Sequence, residues 1–184
     1  MAFPTNNELE QLVAPVAQAY AMDIEHIRTV KAGKKSQVVI ALDSDTHPTL
    51  DELEEVSNEL STLFDALEQR GEVNFGAGYT LELTTPGVDM PLTLPRHWRR
   101  NRGRLVNAAG QLYRVGALNQ DETEVVVIPA GAKTPVAHPM PVSELAGAVV
   151  EIEFKKPPAA EVELAEKDFE EVTSEYRYGS PQGD

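Results

Sequence analysis

Five arginines fall within nine residues of this 184-residue chain: Arg96, Arg99, Arg100, Arg102 and Arg104, with Trp98 among them. Guanidinium groups fork onto phosphate oxygens in pairs, and an exposed indole stacks on a base. These six residues are therefore the candidate contact for RNA phosphate or for a partner. A second use is open to them. The arginines could pair with acids of the N-terminal half. Trp98, the one tryptophan of a chain poor in aromatics, could pack into a core, as such residues usually do.

No other grouping carries chemistry. The histidines His26, His47, His97 and His138 are scattered, and cysteine is absent, which removes disulfides, thiolate zinc sites and cysteine nucleophiles. The chain has no nucleophile elbow, phosphate loop, zinc-protease helix or dinucleotide fingerprint. Asp43-Ser44-Asp45 and the acids after Thr49 make a loose set of carboxylates without the glycine and distal glutamate of a calcium loop. They read as turn chemistry. No metal, no cofactor and no enzyme activity is expected.

The arginine segment sits behind a break. Tyr79–Leu83 alternates as a strand, and Thr84–Pro95 then carries three prolines and a glycine, which no regular element tolerates. Before the break, Thr5–Tyr20 has helical spacing, with Thr5 and Glu8 as a capping box and Pro15 as the expected site of a kink or break. Asp23–Lys31 and Ser36–Asp43 read as strands around a turn at Ala32-Gly33-Lys34-Lys35. Val38 to Leu42 is apolar throughout, so that strand should be covered on both faces. Thr49–Gln69 is a helix with a Thr49/Glu52 cap and an apolar stripe from Leu50 to Leu67.

After the break come short strands: Arg104–Asn107, Gln111–Leu118, Glu124–Pro129 and Val149–Phe154. The stretch Ala130–Met140 reads as loop, and Val142–Leu145 as one helical turn. The fold class is α+β. An α-β-β-α-β domain over 1–88 leads through a linker, 89–95, to a small all-β barrel of SH3-like or Sm-like type over 96–156. The remainder, 157–184, is acidic and interrupted by prolines, and should be disordered.

Net charge is −14 but uneven. Residues 1–94 hold 16 acidic and 5 basic groups, 95–150 hold 4 and 7, and 151–184 hold 10 and 4. Contact with nucleic acid must therefore be local, and the acidic first half suits a basic protein partner. The N-terminus lacks the charge and apolar run of a signal peptide, and no window is apolar enough for a membrane span. A cytoplasmic monomer with no membrane contact is the expectation.

The stretch YTLELTTPGVDMPL, residues 79–92, closely resembles the signature YxLEVSSPGxDRPL of the ribosome maturation factor RimP family. Pro86, Gly87, Asp89, Pro91 and Leu92 match it, and Met90 stands where that pattern has arginine. VVIALDSD, LDELEEVSNELSTLFD, GRLV and MPVSELAGAVVEIEF resemble other segments of the family in the same order, over about residues 5–154. The resemblance implies an N-terminal α+β domain, an interdomain signature and a C-terminal barrel. It also implies a non-enzymatic factor that binds the free small ribosomal subunit during maturation, with the barrel in contact with a small-subunit ribosomal protein; the arginine segment adds ribosomal RNA phosphate as a candidate contact. The rival reading is an Sm-like regulator that binds free RNA, suggested by the barrel and the arginine segment.

Overall fold

The computed structural model describes residues 2–179. The chain forms two compact units that divide between Pro86 and Gly87.

In the first unit, α1 (Asn6–Ala19) starts where its capping chemistry dictates. The Thr5 hydroxyl accepts from the Glu8 amide at 3.2 Å, and the Glu8 carboxylate accepts from the Thr5 amide at 3.0 Å. Pro15 does not break the helix. It lies on the exposed side, and the carbonyl it leaves without a donor belongs to the exposed Gln11, where water can serve it.

Strands β1 (Asp23–Ala32) and β2 (Lys35–Asp43) form an antiparallel hairpin. Gly33 holds a positive φ of 68° in its turn. Helix α2 (Leu50–Gln69) crosses over to β3 (Tyr79–Thr84), which pairs parallel to β2 with Ser36 opposite Tyr79. The sheet order is β1-β2-β3.

The core joins Leu9, Val13 and Ala17 of α1 to Val56, Leu60 and Phe64 of α2 over Val38, Ile40 and Leu42. Val39 and Ala41, on the opposite side of β2, are buried too, as the unbroken apolar run predicted. Leu50, expected in the apolar stripe of α2, is 85% exposed at the helix start.

The second unit is built on a five-stranded antiparallel sheet in the order β7-β6-β5-β4-β8. Its strands are β4 (Leu105–Ala108), β5 (Gln111–Leu118), β6 (Glu124–Pro129), β7 (His138–Pro141) and β8 (Val149–Glu151). Strand β7 begins inside Ala130–Met140, the stretch rich in alanine, proline and glycine that reads as loop, and two of its four residues are proline. It is an edge strand, the position where a missing amide donor does no harm. Val142–Leu145 forms a 3-10 turn. β8 ends early, so Ile152 and Phe154 are 58% and 93% exposed rather than facing a core.

Successive residues of β6 feed two cores. Val125 and Val127 pack with Val106, Val115, Leu145 and Trp98. Val126 and Ile128 pack with Ala137, Ala165 and Val172 on the other face.

Those last two residues lie in the segment expected to be disordered. It forms α4 (Ala159–Glu166) and α5 (Phe169–Gly179) instead. The acidic composition is real, but Leu164, Ala165, Phe169 and Val172 give the two helices an apolar side that covers Val126 and Ile128. Residues 180–184 of that expected tail lie outside the described residues. No helix among the described residues is long and apolar enough to cross a membrane.

Candidate functional site

The signature segment opens the second unit. The Met90 amide donates to the Gly87 carbonyl at 3.1 Å, closing a turn. A Cβ on Gly87 would come within 2.5 Å of Asp89 Oδ1, so any other residue there would push the Asp89 carboxylate aside. Met90, where the signature it resembles has arginine, is 39% exposed. Leu92, in the stretch expected as a linker, donates to the Ala148 carbonyl at 2.8 Å and accepts from the Gly147 amide at 2.9 Å. Its side chain is 5% exposed and belongs to the core that holds Trp98.

Pro95 then starts the short helix α3 (Pro95–Arg100). His97 Nδ1 accepts from the amides of Thr93 and Leu94 at 3.0 and 3.1 Å and so caps the helix start. His97 thus has a structural task that its sequence position did not suggest.

The arginine segment separates into inward and outward members. Trp98 is fully buried, the second of the two uses open to it from the sequence, so its indole presents no stacking surface. A short helix of one and a half turns points it into the core while turning Arg99 outward. Arg100 is buried at 9% exposure. Arg102 donates from Nε to the Ala165 carbonyl at 2.8 Å and from Nη2 to the Lys167 carbonyl at 3.0 Å. It thereby serves the carbonyls that α4 leaves open at its C-terminal end. Arg99 pairs with Glu122 at 2.6 Å, both side chains being more than two-fifths exposed. Arg104 is exposed and donates to Asn101 Oδ1 at 3.3 Å. Arg96 is half-buried.

One arginine outside the segment is held by two carboxylates and a carbonyl. Arg114 on β5 is 1% exposed. Its Nη1 and Nη2 reach the two oxygens of Glu153 at 3.2 and 2.7 Å, and Nε reaches Glu161 Oε1 at 3.1 Å. Nη1 also donates to the Gly103 carbonyl at 2.9 Å. Burial by itself works against the Arg114 charge, but Glu153 and then Glu161 reverse this, so its pKa is raised. Glu161, itself 1% exposed, accepts from the Gly131 amide at 3.3 Å through its second oxygen. This cluster fastens α4 to the sheet. The sequence hid it, because the partners lie 39 and 47 residues from Arg114. The available signal was a lone charged residue in the strand QLYRVGAL.

The remaining polar groups fit local roles. The Asp43 carboxylate accepts from the Ser44 amide at 2.9 Å and lies 3.4 Å from His47 Nδ1, which is turn chemistry. Among the described residues, no three or more His, Asp or Glu side chains gather as metal ligands. His138 on β7 has its pKa lowered by burial.

The family model described as the RimP N-terminal domain matches residues 12–89. A curated protein of Corynebacterium aurimucosum, named ribosome maturation factor RimP, is 49% identical over 92% of this chain and 94% of its own length. Its namesake in Corynebacterium diphtheriae is 50% identical over 94% of this chain and 96% of its own. A third, in Corynebacterium kroppenstedtii, is 43% identical over 94% of this chain and its whole length. A solved structure titled as an MjSpt4:Spt5 complex aligns at 14% identity with a TM-score of 0.22, covering 79% of this chain and 90% of that one, too slight a likeness to carry any argument. With close to half of its residues shared over nearly its full length, the chain belongs to the ribosome maturation factor RimP family.

Proposed function

We propose that this chain is a ribosome maturation factor that binds the free small subunit during its assembly. It works by binding rather than catalysis, as a cytoplasmic monomer without a cofactor. The observation that carries this is the near-full-length identity of 43–50% to proteins of that name. We read the five-stranded sheet as a small SH3-like or Sm-like barrel, with the signature residues Pro86, Gly87, Asp89, Pro91 and Leu92 leading into it.

Charge suggests how the work divides. The first 94 residues, with 16 acids against 5 bases, suit a basic small-subunit ribosomal protein. Contact with ribosomal RNA falls to the exposed Arg99 and Arg104 and the half-buried Arg96. The Arg99–Glu122 pair is exposed, and such pairs are worth about 0–1 kcal/mol, so phosphate can replace Glu122 at small cost. Arg100 and Trp98 support these contacts from inside, while the exposed Arg102 holds the end of α4. The rival reading, a regulator of free RNA, is weakened because Trp98 is not available for stacking.

Co-sedimentation with purified small subunits, large subunits and joined ribosomes at two salt concentrations tests the proposal. Selective association with free small subunits, weakening as salt rises, is expected. A strain lacking the protein should accumulate immature small subunits, and normal subunit profiles in that strain would sink the reading.

A further inference from the structure

Helices α1 and α2 enclose an open groove of about 710 Å³ in the first unit. Val16, Ala19, Tyr20 and Leu63 give it an apolar floor, and Glu55 and Glu59 stand on its rim. The Tyr20 phenol is held above its ordinary pKa by burial and then by Glu59 and Glu55, so these carboxylates lie close to the groove end.

The charges around the groove are all of one sign. Between them α1 and α2 carry nine acidic residues and not one lysine or arginine. A helix pair that only faces water usually mixes both signs, because acid–base pairs one turn apart stabilise it. Here an apolar cleft is framed by carboxylates that have no basic neighbours on either helix. Phosphate is repelled by such a rim. A second copy of the chain would bring the same negative charge to it.

We infer that this groove docks a cationic amphipathic protein segment, with apolar side chains on the floor formed by Val16, Ala19, Tyr20 and Leu63 and lysines or arginines against Glu55 and Glu59. The mode is that of a helix or strand laid in a groove, with apolar anchors for affinity and charge for orientation and rate. The inference rests on the reading above that the chain binds basic components of the small subunit. It adds which surface of the first unit receives them and what chemistry they present there.

The test uses the full-length protein, labelled with nitrogen-15. The probe is a synthetic helix-forming peptide of leucine and lysine with the leucines on one face, and the control is the same peptide with glutamate for lysine. Ala19→Trp fills the groove at an exposed position without changing charge. Glu55→Lys with Glu59→Lys reverses the rim at two exposed positions. Chemical-shift changes confined to the α1–α2 groove are expected, with binding weakened about tenfold or more by each variant and no binding of the glutamate peptide. The same variants should weaken co-sedimentation with free small subunits.

Unchanged peptide binding by Ala19→Trp overturns the inference, as do shifts centred on the arginine segment. Groove shifts that follow protein concentration alone overturn it too, since they assign the groove to a second copy. Wild-type protein that sediments with small subunits no better than the variants do refutes the groove and leaves the maturation reading intact. Wild-type protein that binds the peptide but ignores small subunits overturns the maturation reading and this partner with it.

Discussion

Replacing Arg114 with methionine tests whether α4 is fastened by charge or by apolar packing. The guanidinium holds two carboxylates that respond differently to its loss. The Glu153 side chain is 24% exposed and can turn back to water. The Glu161 side chain is 2% exposed, and without Arg114 it keeps only the Gly131 amide at 3.3 Å. Leaving one member of a buried ion pair without its partner costs about 3–5 kcal/mol. The chain can avoid the full cost by releasing α4, so the loss is capped by the free energy with which α4 and α5 dock on Val126 and Ile128.

The expected result for Arg114→Met is a fall in stability of about 3 kcal/mol, or loss of amide-exchange protection across 159–179 with the strands of the sheet still protected. Urea unfolding followed by the emission of Trp98, the one tryptophan and a core residue of this unit, reads the first; hydrogen exchange reads the second. Adding Glu161→Leu should restore most of the loss, because an apolar pair of similar size needs no desolvated charge. A single variant that loses less than about 1 kcal/mol and keeps its exchange protection would refute the claim that this cluster fastens the helix.

Three further outcomes follow from the same geometry. A methyl group on Gly116 would meet Val126 Cγ1 at 2.8 Å and the Val126 carbonyl oxygen at 3.0 Å, so Gly116→Ala should cost about 1–3 kcal/mol in thermal or urea unfolding. Tyr79 is pushed up to about 12 by burial and then by Asp65, whose Oδ1 its hydroxyl meets at 3.2 Å. Between pH 10 and about 12 the folded state keeps a proton that the unfolded state has lost, so this contribution is whole below pH 10 and disappears as pH rises through that window. Ultraviolet titration should show a tyrosine ionising late, and Asp65→Asn should bring it only part of the way back. Trp98 should show the blue-shifted emission of a buried indole, resist acrylamide, and give no quenching with single-stranded RNA; strong quenching by RNA would return it to the contact surface.

Much of the first unit was legible because its signals are local. The Thr5–Glu8 box, the Thr49–Glu52 cap and the period of Leu53, Val56, Leu60 and Phe64 fall where the sequence put them. Pro15 misled, because a proline's cost depends on whether its face is buried, which spacing alone does not reveal. In the second unit the missed elements depend on distant partners. The prolines of β7 argue against a strand until its edge position is known. The acidic composition of 159–179 argues for disorder until something needs covering.

That need was written in β6. Val125, Val126, Val127 and Ile128 run without a polar residue, and a strand that is apolar at every position must be buried on both sides. One side had the arginine segment's own Trp98 and the remaining strands to face; the other had only Ala137 of its core before residue 157. Covering that side requires the tail to fold back, and α4 and α5 do so with Ala165 and Val172. It also bears on the arginines. A covering helix ends in open carbonyls, and Arg102 meets two of them, while Arg114 beneath the same helix meets Glu161. A dense run of arginine suggests a nucleic-acid surface only to the extent that the chain's own acids and helix ends do not already use it. Arg96, Arg99 and Arg104 keep at least part of their surface exposed, and they are the positions where charge reversal should weaken small-subunit association. Arg102→Ala should instead loosen α4.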